Sequence, residues 1–209
     1  MVFASRKDRQ KPKKPPGLKV VWVAFLTDTL NLKNIAMKNI QITWADFPDP
    51  CYDPQERYGD CPAVLGDLLN DERIPSEDRI WAFCVCVKVP RNKKRLFAVR
   101  AVRETPLENG GFVLDLLTDK RSINALTVAE RYANGEATGQ ELHAAYCAAW
   151  DASYSGREAA SIAASWSAAN ADEWDFSGAS VRAAAMAAAR SAEYNGAWSA
   201  QLKIIQSMI

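Results

Sequence analysis

One histidine, His143, serves all 209 residues. An imidazole-based triad has a single place to form, and no serine or cysteine stands beside it in a nucleophile's sequence context. Glycine-rich phosphate loops and dinucleotide fingerprints are missing as well; Gly110 and Gly111 read as a turn. The five cysteines leave one over from any disulfide scheme. No signal-peptide pattern precedes them, so they read as reduced thiols of a cytoplasmic protein. Cys51, Cys61, Cys84 and Cys86 lack the Cys-x2–4-Cys spacing that zinc clusters favour, since Cys84-x-Cys86 in a helical run points its thiols apart, and buried thiols acting as small apolar side chains fit them better. No apolar run is long enough to span a bilayer: residues 20–26 are too few, and acids, arginines and serines interrupt the alanine-rich C-terminal region. The expectation is no catalytic residue, no metal, no cofactor and no membrane.

Charge of one overall sign is also scarce, with a net of +1, which speaks against general nucleic-acid binding. Its distribution is uneven. Residues 1–17 carry Arg6, Lys7, Arg9, Lys11, Lys13 and Lys14 against Asp8 alone, and read as a disordered basic tail. Residues 91–103 carry Arg91, Lys93, Lys94, Arg95, Arg100 and Arg103 with no acid. These six are the candidate site, because arginine forks and lysine charges grip phosphates or a carboxylate-rich partner. The plainer reading is a solvated helix face. Asp46, Asp49, Asp53, Glu56 and Asp60 bias the loop of residues 46–60 the other way. They do not match a calcium loop and read as solvated loop acids.

Apolar residues make up 48% and charged residues 24%, enough to bury a core without disulfides or metal. Residues 18–26 fit a buried strand or a short core helix. Residues 40–44 alternate apolar and polar, as a half-buried strand does. Residues 46–62 are proline-rich and read as a long surface loop. Helical signals dominate thereafter. Residues 63–69 form a short turn or helix, and Pro75 to Asp78 start another. A helix follows over Arg91–Glu104, ended by Pro106. Asp119 caps a helix over Lys120–Ala133, and Asn134-Gly135 closes it. Thr138 and Glu141 form a capping box. Residues 138–170 make a long alanine-rich helix with a second start at Ser155 and Glu158, residues 174–178 a turn, and residues 180–207 the last helix. Tyr146, Trp150 and Tyr154, four apart, form one stripe, read as core rather than as an exposed partner-binding face.

The fold class expected is mainly α: a helical bundle with a long Ala-rich antiparallel helical hairpin at the C-terminus, with room for a small β element near the N-terminus. The organisation expected is a tail (1–17), an N-terminal segment with the acidic loop (18–75) and an α-helical domain (76–209).

Residues 102–111 (VRETPLENGG), 115–126 (DLLTDKRSINAL) and 128–145, with its YANGEAT-x-x-EL core, carry a resemblance. Over residues 76–200 the chain resembles an uncharacterised phage and bacterial family in which such a segment precedes long Ala/Trp-rich helices. It is also similar to the alanine-rich part of immunity-like proteins. The resemblance implies an all-helical fold and a phage or mobile-element setting. It carries no established activity and transfers no functional residue.

The leading functional expectation is a non-enzymatic protein that binds a protein partner through its helical surface, such as a component of a host defence or toxin system. The first alternative is a nucleic-acid-binding accessory protein using the basic tail and residues 91–103. The second is a small-ligand binder or hydrolase using the acidic loop and His143.

Overall fold

The computed structural model describes residues 37–48, 50–156, 179–192 and 196–209, all within the unit Ala36–Ile209. The basic tail, residues 18–26, residues 157–170 with Glu158, the 174–178 turn and the side chain of Tyr154 lie outside the described residues. Eight α-helices are described: α1 Pro54–Tyr58, α2 Leu65–Asn70, α3 Ser76–Val85, α4 Arg91–Glu104, α5 Lys120–Ala133, α6 Gly139–Gly156, α7 Ala179–Ala192 and α8 Ala197–Met208. The fold is mainly α, as expected.

Short-range chemistry sets most helix ends. Asp53 and Asp119 accept the N–H groups of Gln55 and Arg121, each at 2.8 Å, at the starts of α1 and α5. Ahead of α6, Thr138 Oγ1 accepts the Glu141 N–H at 3.2 Å while Glu141 Oε2 accepts the Thr138 N–H at 2.8 Å. Both donors would otherwise be orphans of the first turn. α5 closes at Gly135, whose φ of +79° suits a residue without Cβ. α4 stops at Thr105, extended at ψ 119° because Pro106 follows it.

No strand forms among the described residues. The alternation at 40–44 yields one isolated antiparallel bridge, Gln41 to Val64. Ile42 is buried, but the chain enters a 3-10 turn at Trp44–Asp46 before a ladder can extend. The loop of 46–62 also contains the helix α1, started by the Asp53 cap and Pro54. One last helix over 180–207 was expected, and the chain instead forms α7 and α8 with Gly196 at the entry to α8. Gln201 Nε2 donates to Ala185 O at 2.9 Å, a separation of 16 residues. A continuous helix would hold these groups about 24 Å apart, so the chain folds back. The dipeptide Asn195-Gly196 repeats the Asn-Gly signal that ends α5.

α5 and α6 pack antiparallel, shown by partners whose numbers run in opposite directions: Arg131 with Glu141, and Arg121 with Asp151. α7 lies against α4. The core has two apolar clusters. Phe83, Leu65, Leu68, Leu69, Ile80 and Ile205 belong to the first, with Ala184 and Ala185 of α7; Leu126, Leu142, Ala129, Ala145 and Ala188 belong to the second. α4 stands between them. Its Phe97, Ala98 and Ala101 serve the first cluster and its Val99 and Val102 the second. That position explains why apolar residues appear on all its faces rather than in one stripe. Residues 37–75 share the first cluster with α3, α4 and α8. Gly66 in α2 permits this: a Cβ there would lie 2.8 Å from both Lys38 Cβ and Lys38 O of the 3-10 turn Met37–Asn39.

Candidate functional site

All six basic residues singled out in the sequence lie on α4, and the bundle disperses them. Arg91 is exposed and Lys93 half-buried, whereas Lys94 and Arg95 are buried. The Arg95 guanidinium lies over the Tyr132 ring, 4.6 Å from its centroid. Burial lowers its pKa, and its Nε has no hydrogen-bond partner among the described residues. Arg100 makes a two-pronged pair with Glu104 at 2.6 and 2.8 Å and reaches Ser207 Oγ at 3.0 Å. Arg103 pairs with Glu130 on α5. A phosphate would have to displace two carboxylates to reach Arg100 and Arg103. Arg91, Lys93 and Lys94 sit in the first turn, at the positive end of the helix dipole, where the helix itself favours acids.

Asp53, Glu56 and Asp60 of the acidic loop are exposed, as expected of solvated acids, but Asp46 is buried. Its Oδ2 accepts Lys88 Nζ at 2.8 Å, the Thr43 N–H at 2.7 Å and the Thr43 hydroxyl at 3.1 Å. Burial pushes this carboxyl up, but the hydrogen bonds from Lys88 and Thr43 outweigh it and hold the pKa below the usual aspartate range. A carboxyl lowered on folding contributes stability in full above its unfolded pKa and loses it as pH falls through the folded value. The difference in melting temperature between the wild type and Asp46→Asn is therefore expected to be largest above about pH 5 and to close toward about pH 2. Thermal melts across that range check this; an unchanging gap would remove the ionic role. Asp53 is the α1 cap, and Asp49 lies outside the described residues.

His143 is exposed on α6, and the structure does not bring it to these acids. Its described partners lie on its own helix: Cys147 Sγ at 3.6 Å and the Tyr146 ring at 6.3 Å between centroids. Tyr146 is half-buried against the second cluster, and its ring lies 6.0 Å from that of Trp150. Cys84 and Cys86 are buried, as expected, whereas Cys51 is exposed and Cys61 half-buried on the loop before α2. Burial pushes Cys84 up to about 12 and, with Asp46 nearby, Cys61 up to about 11, so both stay protonated near neutral pH. No three His, Cys, Asp or Glu side chains gather as a metal site would require among the described residues. None of the described helices is long and apolar enough to cross a membrane.

Two features emerge that linear reading missed. The first is a cleft of about 70 Å³ lined by residues 50–52, α3, α7 and Trp198 of α8. Beside it runs a hydrogen-bond chain: Tyr58 donates to Asp78 Oδ2, and Tyr52 therefore donates to Tyr58 at 3.1 Å. Burial and then the Asp78 carboxylate push the Tyr58 phenol far above its usual range, so it remains a donor. The Arg57 guanidinium lies over the Tyr52 ring at 4.3 Å. Tyr52, Arg57 and Tyr58 are close in sequence, but Asp78 lies 20 residues from Tyr58 and Arg182 and Trp198 belong to much later helices, so no local signal joins the cleft.

The second feature is apolar exposure. The large hydrophobic side chains exposed among the described residues are Val87, Phe112, Leu116 and Ile123. Three of them fall in one stretch, residues 112–123, across the 3-10 turn Val113–Leu116 and the first turn of α5. In the sequence, Phe112 and Leu116 stand in the mostly apolar run 112–117, where nothing distinguishes them from the buried Val113 and Leu117.

No family model, curated protein or solved structure matches the chain.

Proposed function

We propose that the chain is a non-enzymatic interaction protein that binds a protein partner through the surface formed by residues 112–123. The observation that carries this reading is the gathering of Phe112, Leu116 and Ile123 in one exposed stretch. Single exposed apolar side chains are ordinary, whereas several in one place mark contact surfaces. The engagement of Arg95, Arg100 and Arg103 within the bundle weighs against the nucleic-acid alternative. A phage or mobile-element setting, a host cytoplasm and a defence or toxin component as partner belong to the same proposal and rest on the resemblance alone.

The test compares the wild type with a Phe112→Ser, Leu116→Ser, Ile123→Lys variant in cross-linked affinity capture from bacterial lysate. A discrete partner retained by the wild type and lost by the variant, with circular dichroism unchanged, is the expected result. Equal capture by both proteins, or salt-sensitive binding of DNA or RNA in place of any protein, would refute the reading.

A further inference from the structure

The cleft between α3, α7 and α8 has a lining whose chemistry selects a ligand. Among the described residues that line it, Tyr52, Trp81 and Trp198 contribute aromatic rings, Glu77 and Asp78 carboxylates, and Arg182 the one cation. Aromatic faces carry negative electrostatic potential and attract cations within about 6 Å of the ring centre. The Tyr52 ring already does so, since it holds the Arg57 guanidinium at 4.3 Å. Arg57 itself does not line the cleft. Two carboxylates against one guanidinium leave the lining net negative. Asp78 is also fixed in place by the Tyr58 hydroxyl, so its charge is positioned before any ligand arrives. A volume of about 70 Å³ suits a compact group rather than an extended molecule.

We infer that this cleft binds a compact organic cation, an alkylated ammonium or a guanidinium head, between the Trp81 and Trp198 rings and the Glu77 and Asp78 carboxylates. The same head is supplied by a free amine or by a lysine or arginine side chain of another protein. The inference does not depend on residues 112–123.

The probes are tetramethylammonium, its neutral near-isostere tert-butanol, and trimethyl-lysine capped at both ends as the side-chain form. Binding is read from the indole N–H resonances of Trp81 and Trp198 in the full-length protein, assigned by Trp81→Phe and Trp198→Phe. Tetramethylammonium is expected to shift both saturably and tert-butanol to leave them in place. Glu77→Gln, at an exposed position, is expected to weaken binding about fivefold, the order set by one nearby charge in a watery setting. Arg182→Gln removes the opposing cation and is expected to tighten binding by a similar factor of about five. Tighter binding of capped trimethyl-lysine than of tetramethylammonium assigns the head to a protein side chain, and equal binding assigns it to a free amine; both outcomes uphold the cation site. An equal response to tert-butanol, no saturable shift, or weaker binding by Arg182→Gln would overturn it. The last result would mark an anion site instead.

Discussion

Replacing Phe97 by alanine is expected to lower the free energy of unfolding by about 3–5 kcal/mol. Phe97 lies in the middle of α4 with no exposed surface. Its ring meets Phe83 of α3 edge-on, at 5.5 Å between centroids and 79° between planes. Truncation removes the transfer energy of the ring and leaves a cavity that two packed helices can only partly close. It also deletes an aromatic contact worth about 0.5–1.5 kcal/mol beyond area. Phe97→Leu, which keeps most of the volume, is expected to cost distinctly less. Urea unfolding followed by circular dichroism measures both. A loss below about 1 kcal/mol for the alanine variant would mean that the ring is not enclosed as described.

Arg95→Ala is expected to cost about 2–3 kcal/mol of stability, from a desolvated cation–π contact and the packing of its aliphatic stem. Arg95→Met keeps the stem and introduces no unpaired polar atom. It is expected to cost far less, because exchanging a buried charge for an apolar group of similar size is often neutral. The two variants separate the roles that a basic residue on α4 can have. If Arg95 holds α4 to Tyr132 of α5, the variants differ in urea midpoint. If it serves a phosphate backbone, both lose salt-dependent nucleic-acid binding equally and neither loses stability. Fluorescence anisotropy at two salt concentrations, beside the urea curves, decides between them.

What the sequence disclosed was local. Asp119, Asn134-Gly135, Thr138 with Glu141 and the Thr105-Pro106 stop each act within one helical turn, and the helices α4 and α5 have the limits read from them. What it hid was long-range. Asp46 looked like a loop acid because Lys88, its partner, lies 42 residues away. Arg95 looked like a surface cation because Tyr132 belongs to another helix. The division of α7 from α8 has a sequence signal in Asn195-Gly196, which the high helix propensity of the surrounding alanines conceals. The cleft draws on four segments, from Pro50 to Trp198, and no window of sequence contains it.

The place of α4 between two apolar clusters has a consequence for how the chain comes apart. Where two cores are joined by a tether, one can melt while the other persists. Here the loss of either cluster strips one side of α4 and with it a wall of the other. Opening Ala36–Ile209 by halves thus gains little solvent freedom for the backbone while forfeiting burial on both sides. Partly open forms, the ones that proteases and aggregation exploit, are kept rare by helices that both clusters share, α4 and, through Ala184 and Ala188, α7.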